Sequence, residues 1–322
     1  MKSEIKRIII RIVKIFGYKL VSLKSGIKKT NKILDREYSF GNYKIILKGN
    51  HVLAKYQESF PLYDRFLPIL CADFDGLIID IGANIGDTSI AIFSKNPKAF
   101  IVGVEPDTGF YDECINNIKL NDLSDRFLGI KKFVSTKIGT YSLEKSKTSS
   151  TGSILYDSKQ TGEINTISFT QLMDLIPSTR KMKFDILKID TDGFDWDILD
   201  SFINYSQNSL IKPRFVFFEM QTYLNNTGVK DINRNQIIEN YKLSIERLHS
   251  IGYINFCLLD NFGTPIKITQ SLSEIFEIND YIKRSQIYNS YSTIYYMDVL
   301  AFSDDEIVYV NQAISNLYND IE

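Results

Sequence analysis

The stretch LIIDIGANIGDTSIAIF, residues 77–93, decides the fold. Its first five residues are an apolar run broken only by Asp80, the texture of a strand buried on both faces. From Asp87 onward the apolar residues return at helical spacing, and between the two lies a turn built on Gly82, Asn84 and Gly86. Gly82 lets the backbone turn sharply and approach a ligand, Gly86 lets the helix start close against the strand, and the amides between them are expected to be free to donate. Strand, glycine turn and helix in that order open an α/β unit.

The alternation continues downstream. FIVGVEP (100–106), a helix from about Thr108 to Leu120, a strand near FLGIKKFVS (127–135), FDILKID (184–190) and RFVFFEM (214–220) predict a mostly parallel sheet with helices on both faces. Ligands of such sheets sit beyond the carboxyl ends of the strands, where Asp80, Gly82 and Gly86 lie. Upstream, YSFGNYKIILKGNH (38–51) reads as short strands and PLYDRFLPIL (61–70) as a helix opening at a proline. Residues 1–75 are therefore read as a lead-in cap and 76–322 as the main domain, with insertions at about 221–250 and 260–294 around the last two strands, YINFCLL and YYMDVLAF. Insertions on the ligand side are where an enzyme reads its substrate.

The chain has 322 residues, 44% of them hydrophobic, which suits an ordinary globular core, and its net charge of -1 gives no nucleic-acid signature. That balance is segregated: residues 1–29 hold nine basic side chains and one acid, Glu4. Ile5, Ile8, Ile9, Ile12 and Phe16 form a stripe at helical spacing with Lys6, Arg7, Arg11 and Lys14 off it. Residues 5–16 thus predict an amphipathic helix, packing on its own domain or a second subunit, or lying on an anionic membrane face. Arg11 and Lys14 interrupt the run too early for a spanning helix or a signal peptide. Cys71, Cys114 and Cys257 have no paired spacing, which fits a reducing cytoplasm.

A dinucleotide site would carry G-x-G-x-x-G, but here the spacing is Gly82-x-x-x-Gly86 and position 84 is Asn84. No G-K-[ST] follows to hold a triphosphate. The second strand ends in Glu105, 25 residues after Asp80, where an acid accepts hydrogen bonds from ribose hydroxyls. Ribose without pyrophosphate points to a nucleoside.

On the residues IIDIGANIGDTS, GVEP and LKIDTDGFDWDIL, the chain resembles the FkbM-type family of class I S-adenosylmethionine-dependent methyltransferases over roughly residues 75–220. At the fourth strand Lys188, Ile189, Asp190 and Gly193 match the family pattern, Thr191 replaces a β-branched aliphatic residue, and Asp192 replaces a glutamate. The resemblance implies a Rossmann-like, mostly parallel seven-stranded sheet and S-adenosylmethionine as cofactor. It implies that Asp80 orients the loop or meets the amino group, that Gly82, Ala83 and Asn84 line the methionine moiety with Gly86, and that Glu105 with Pro106 holds the ribose. Asp87 and Thr88 at the helix start either cap it or touch the cofactor. Ser135, after the third strand, is placed near adenine by position alone.

The chemistry is expected at FDILKIDTDGFD. Lys188 and Asp190 share a face of an apolar strand, where opposite charges are costly unless paired or used. With Asp192, and with Glu219 ending the next strand, they are the catalytic candidates. A hydroxyl acceptor must lose its proton, to a carboxylate with a raised pKa or to Lys188 with a lowered one. Asp190, Asp192 and Glu219 as Mg²⁺ ligands are the weaker alternative, since crowded carboxylates also bind sugar hydroxyls. Asp190 also borders the cofactor. The resemblance favours O-methylation of a glycan or glycan precursor for cell-surface polysaccharide; the cysteines and residues 5–16 add the expectation of a cytoplasmic protein, with peripheral contact at the inner membrane face or homo-oligomerisation as the alternatives for that segment. A non-catalytic nucleoside-binding scaffold and a nucleotide-sugar oxidoreductase are the competing readings.

Overall fold

The structure is a computed structural model that describes residues 35–48, 51–145, 152–155, 164–222, 234–288 and 293–320. The amphipathic segment 5–16 lies outside the described residues, as does 223–233 of the first expected insertion. All that is described belongs to one compact unit beginning at Asp35.

Arg36–Phe40 (β1) and Tyr43–Leu47 (β2) form an antiparallel hairpin, followed by short helices at Leu53–Ser59 and Phe66–Leu70. The main sheet begins at Leu77–Ile81 (β3); helix Asp87–Lys95 leads to Phe100–Val104 (β4), and helix Thr108–Leu120 to Phe127–Ile130 (β5). A side sheet of Phe133–Val134 (β6), Thr140–Lys145 (β7), Gly152–Leu155 (β8) and Ile164–Ile167 (β9) precedes helix Phe169–Leu175, which Ser168 and Gln171 start with a capping box. The chain returns at Phe184–Ile189 (β10), crosses through helix Asp195–Gln207 to Phe215–Met220 (β11), and through helix Arg234–Ser250 to Asn255–Asp260 (β12). Pro265–Thr269 (β13), helix Leu272–Tyr288, Met297–Phe302 (β14) and helix Ile307–Asn319 complete it.

The main sheet runs β13-β12-β14-β11-β10-β3-β4-β5. Neighbours from β11 through β5 are parallel, while β14 runs antiparallel between β11 and β12. The sheet has eight strands rather than the expected seven, because part of the second expected insertion pairs as the edge strand β13. Asp260 makes that hairpin: its Oδ1 accepts from the amides of Phe262 and Thr264, both at 2.9 Å, an Asx-type turn hidden in a polar stretch that lacks strand patterning.

Strand order reverses between β3 and β10, which opens a crevice at their carboxyl ends. Side-chain alternation decides what faces it. Ile79, Ile81, Leu187, Ile189 and Phe218 join one core with helices Phe169–Leu175, Asp195–Gln207 and Arg234–Ser250. Ile78, Ile186, Phe217 and Leu300 join the other, under Phe66–Leu70, Asp87–Lys95 and Ile307–Asn319. Asp80, Lys188, Glu219 and Asp298 share the parity of the second set, so all four face the lead-in residues. Among the described residues no helix is long and apolar enough to cross a membrane.

Candidate functional site

The glycine turn is held from two sides. Gly82 has φ +82°, and a Cβ there would fall 1.8 Å from the carbonyl oxygen of Asp190, so only glycine fits against the end of β10. The amides of the turn are not free, contrary to the expectation from sequence. Gly82 and Ala83 donate to the Val104 carbonyl at 2.9 and 3.0 Å, and Asn84 donates to Glu105 Oε2 at 2.9 Å. Glu105 Oε1 accepts from the Asp107 amide at 2.8 Å, so this acid ties the turn to the loop after β4. Burial pushes its carboxyl up to about 7, against the opposing pull of those two amides. What the turn does leave open is Asn84 Oδ1, a buried acceptor that has no hydrogen-bond donor among the described residues.

Beside the turn stands Lys188, paired in register with Asp80 across β10 and β3. Its Nζ lies 2.9 Å from Asp80 Oδ1 and 3.3 Å from Asp190 Oδ2, and donates to the Gly82 carbonyl at 3.2 Å. Burial would lower its pKa, but the carboxylates of Asp80 and Asp190 outweigh burial and raise it. Lys188 is therefore a fixed cation. It does not have the lowered pKa that a general base would need. Asp80, 1% exposed, is also held by Ser89 Oγ at 2.8 Å.

A cavity of about 630 Å³ opens over these groups, between the strand ends and lead-in residues Lys48 and 51–67. Gly82, Asn84, Asp87, Thr88, Lys188, Asp190, Asp192 and Glu219, all anticipated, line it together. Asp80 sits beneath the wall as the partner of Lys188. Ala83 and Gly86 are buried behind the turn, and Glu105 and Pro106 also lie off the wall. Ser135 is not brought to the cavity: its Oγ donates to Asp197 Oδ2 at 2.6 Å and its amide to the Ile167 carbonyl.

The acids crowd one another. Glu219, 4% exposed, pairs across the antiparallel ladder with Asp298, and both are pushed well up, first by burial and then by Asp190. Asp195 at the start of its helix accepts from the Glu219 amide at 3.0 Å and from Thr191 Oγ1 at 2.9 Å, and burial with Asp190 lifts it to about 7. Asp64 reaches the cavity from the lead-in. Although open to cavity water it lies deep in the protein, and burial followed by Asp87 and Asp190 pushes it to about 8. Asp87 is raised by burial, with His51 and Lys188 pulling it back. The residues proposed as Mg²⁺ ligands, Asp190, Asp192 and Glu219, do not fit a metal: among the described residues no group of three or more such side chains is arranged to hold one.

Sequence reasoning passed over Asp298, Tyr296 and Gln221, and gave Tyr63 and Asp64 no role. Asp298 had the same signal as Glu219, one acid in an apolar strand. Asp64 had none, since it reaches the site through a turn with φ +56°. Asn84 and Asp192, with φ +47° and +54°, are also left-handed, so three of the four such non-glycine residues among the described residues line this one cavity. Strained backbone gathers at working sites. Of the two histidines, His51 is on the wall and accepts at Nδ1 from the Leu53 amide at 3.4 Å, whereas His249 is in the last turn of its helix. Trp196 packs on the core.

Residues 80–249, more than half of the chain, match the family described as the methyltransferase FkbM domain. No curated protein matches the sequence. Solved structures similar to this chain include the O-methyltransferase TomG of Streptomyces achromogenes, involved in tomaymycin synthesis and solved with S-adenosylmethionine, at 13% identity and TM-score 0.43, covering 80% of this chain and 91% of that one. An O-methyltransferase from Bacillus cereus, solved with S-adenosylhomocysteine, aligns at 13% identity and TM-score 0.40, over 78% and 89%. A precorrin-6y C5,15-methyltransferase from Geobacter metallireducens aligns at 11% identity and TM-score 0.35, over 74% and 86%. At such scores these likenesses carry no argument, and the family match is what sets aside the oxidoreductase and the non-catalytic scaffold. The chain belongs to the FkbM methyltransferase family, whose methyl donor is S-adenosylmethionine.

Proposed function

We propose that this methyltransferase methylates a hydroxyl of a glycan or glycan precursor, with Asp190 as the general base. The observation that supports it is the cavity wall. Carboxylates accept hydrogen bonds from sugar hydroxyls, and Tyr63 and Tyr296 beside them offer flat faces with a polar edge. Asp190 is half exposed to the cavity and anchored at 3.3 Å by a lysine that stays charged.

The residues fit the cofactor on one count: Asn84 Oδ1, on the cavity wall, is a buried acceptor in need of a donor. Gly82, Asn84, Asp87 and Thr88 on the wall, braced by Asp80, Ala83 and Gly86 behind them, would hold the methionine side, and Glu105 with Pro106 would lie on the ribose side. When bound, S-adenosylmethionine supplies an electrophilic methyl group whose bond to sulfur breaks as the new carbon–oxygen bond forms. Asp190 takes the hydroxyl proton, and Lys188, fixed by Asp80, holds Asp190 in place. Lead-in residues such as His51, Tyr63 and Asp64 line the cavity opposite the strand ends, where they would contact the acceptor. We place the reaction in the cytoplasm, where the buried free thiols of Cys71, Cys114 and Cys257 stay reduced.

Two measurements test this. S-adenosylhomocysteine raises the melting temperature and NAD does not, because a ligand that binds only the folded state stabilises it by mass action; a shift with NAD alone overturns the cofactor assignment. With methyl-labelled S-adenosylmethionine, label enters an envelope glycan fraction. Label confined to protein or RNA fractions overturns the acceptor.

A further inference from the structure

Two buried acceptors on the cavity wall have no donor among the described residues. Glu219 and Gln221 are each 4% exposed, and their heads are joined, Gln221 Nε2 donating to Glu219 Oε1 at 3.1 Å. That bond leaves Glu219 Oε2 and Gln221 Oε1 buried and without a donor among the described residues. An orphaned buried acceptor carries a full desolvation cost, so a pair of them on a cavity wall marks where a ligand donates.

Charge narrows the donor. The wall carries seven carboxylates against two lysines. Both lysines are already matched, Lys188 with Asp80 and Asp190, and Lys48 with Glu113 at 3.1 Å. A hydroxyl has one hydrogen to give and no charge, whereas an ammonium has three donors and no acceptor. An ammonium satisfies Glu219 Oε2 and Gln221 Oε1 together and keeps a third donor for Asp298 opposite, and its charge beside Glu219 and Asp298 favours the ionised carboxylates that burial and Asp190 otherwise disfavour. The ammonium of the cofactor is not this group, because β11 and β14 lie two and three strands from the β3 turn, roughly 10 to 14 Å away.

We infer that the methyl acceptor carries a protonated primary amine, as an amino sugar does, seated on Glu219, Gln221 and Asp298. The inference rests on the proposed sugar acceptor and adds its specificity.

Calorimetry on the full chain saturated with S-adenosylhomocysteine tests it with four probes: glucosamine, N-acetylglucosamine, glucose and ethanolamine. Glucosamine is expected to bind at least about tenfold more tightly than the other two sugars, and Glu219→Gln or Asp298→Asn to abolish that preference. Retained stabilisation of each variant by S-adenosylhomocysteine shows that it is folded. Equal binding of glucosamine and N-acetylglucosamine, or no binding of either, overturns the amine subsite. Ethanolamine binding as well as glucosamine keeps the amine subsite and removes the sugar reading. A loss of S-adenosylhomocysteine affinity of tenfold or more in Glu219→Gln assigns Glu219 to the cofactor and overturns the inference.

Discussion

Asp190→Asn is expected to lower turnover by a factor on the order of 10² or more while S-adenosylhomocysteine still binds. The substitution keeps the shape of the side chain and removes its charge and basicity. Asp190 is the carboxylate at the end of β10, half exposed and 3.3 Å from the Lys188 ammonium. Asp80 at 2.9 Å keeps Lys188 charged in the variant, so the change stays local. A chelator should leave wild-type turnover unchanged, since Asp190, Asp192 and Glu219 do not form a ligand set. If Asp190→Asn turns over normally while folded and cofactor-bound, the base lies elsewhere, and Asp64, which reaches the same cavity from the lead-in, is the next acid to replace. Activity lost to the chelator would return the Mg²⁺ alternative.

Lys188→Met is expected to cost about 3 to 5 kcal/mol of folding stability, because it strands a carboxylate rather than merely deleting a pair. Asp80 is 1% exposed, and after the substitution its side chain keeps the hydrogen bond from Ser89 Oγ at 2.8 Å but loses its cation. The Coulomb repulsion between Asp80 and Asp190 would also lose its screen. Replacing both residues, Asp80→Asn with Lys188→Met, should recover part of the loss, and denaturant melts of the two single variants and the double variant measure that coupling. A loss below about 1 kcal/mol in the single variant would contradict the ion pair as the site's structural hub.

The two predictions divide along what could be read in the chain. Short apolar runs bounded by glycine and helix starts announced β3, β4, β10 and β11, because a strand buried on both faces needs nearly every residue apolar and each exception stands out. Asp80, Lys188 and Glu219 were visible as those exceptions. The edge strand β13 was not, since an edge needs apolar residues on one face only and its hairpin depends on Asp260 folding back on its own backbone.

By itself the sequence determined the α/β alternation, the glycine turn and the acids around it, all set by spacing within one element or between adjacent ones. Tertiary structure decided the rest. It put Lys188 between Asp80 and Asp190 and so made it a cation rather than a base, and it turned Glu105 toward the amides of Asn84 and Asp107. It kept Ser135 for Asp197, and brought Asp64, 126 residues before Asp190, into the same cavity. A pKa and a hydrogen-bond partner depend on which groups lie within a few ångströms, and strands far apart in the chain become neighbours only once the sheet order is set.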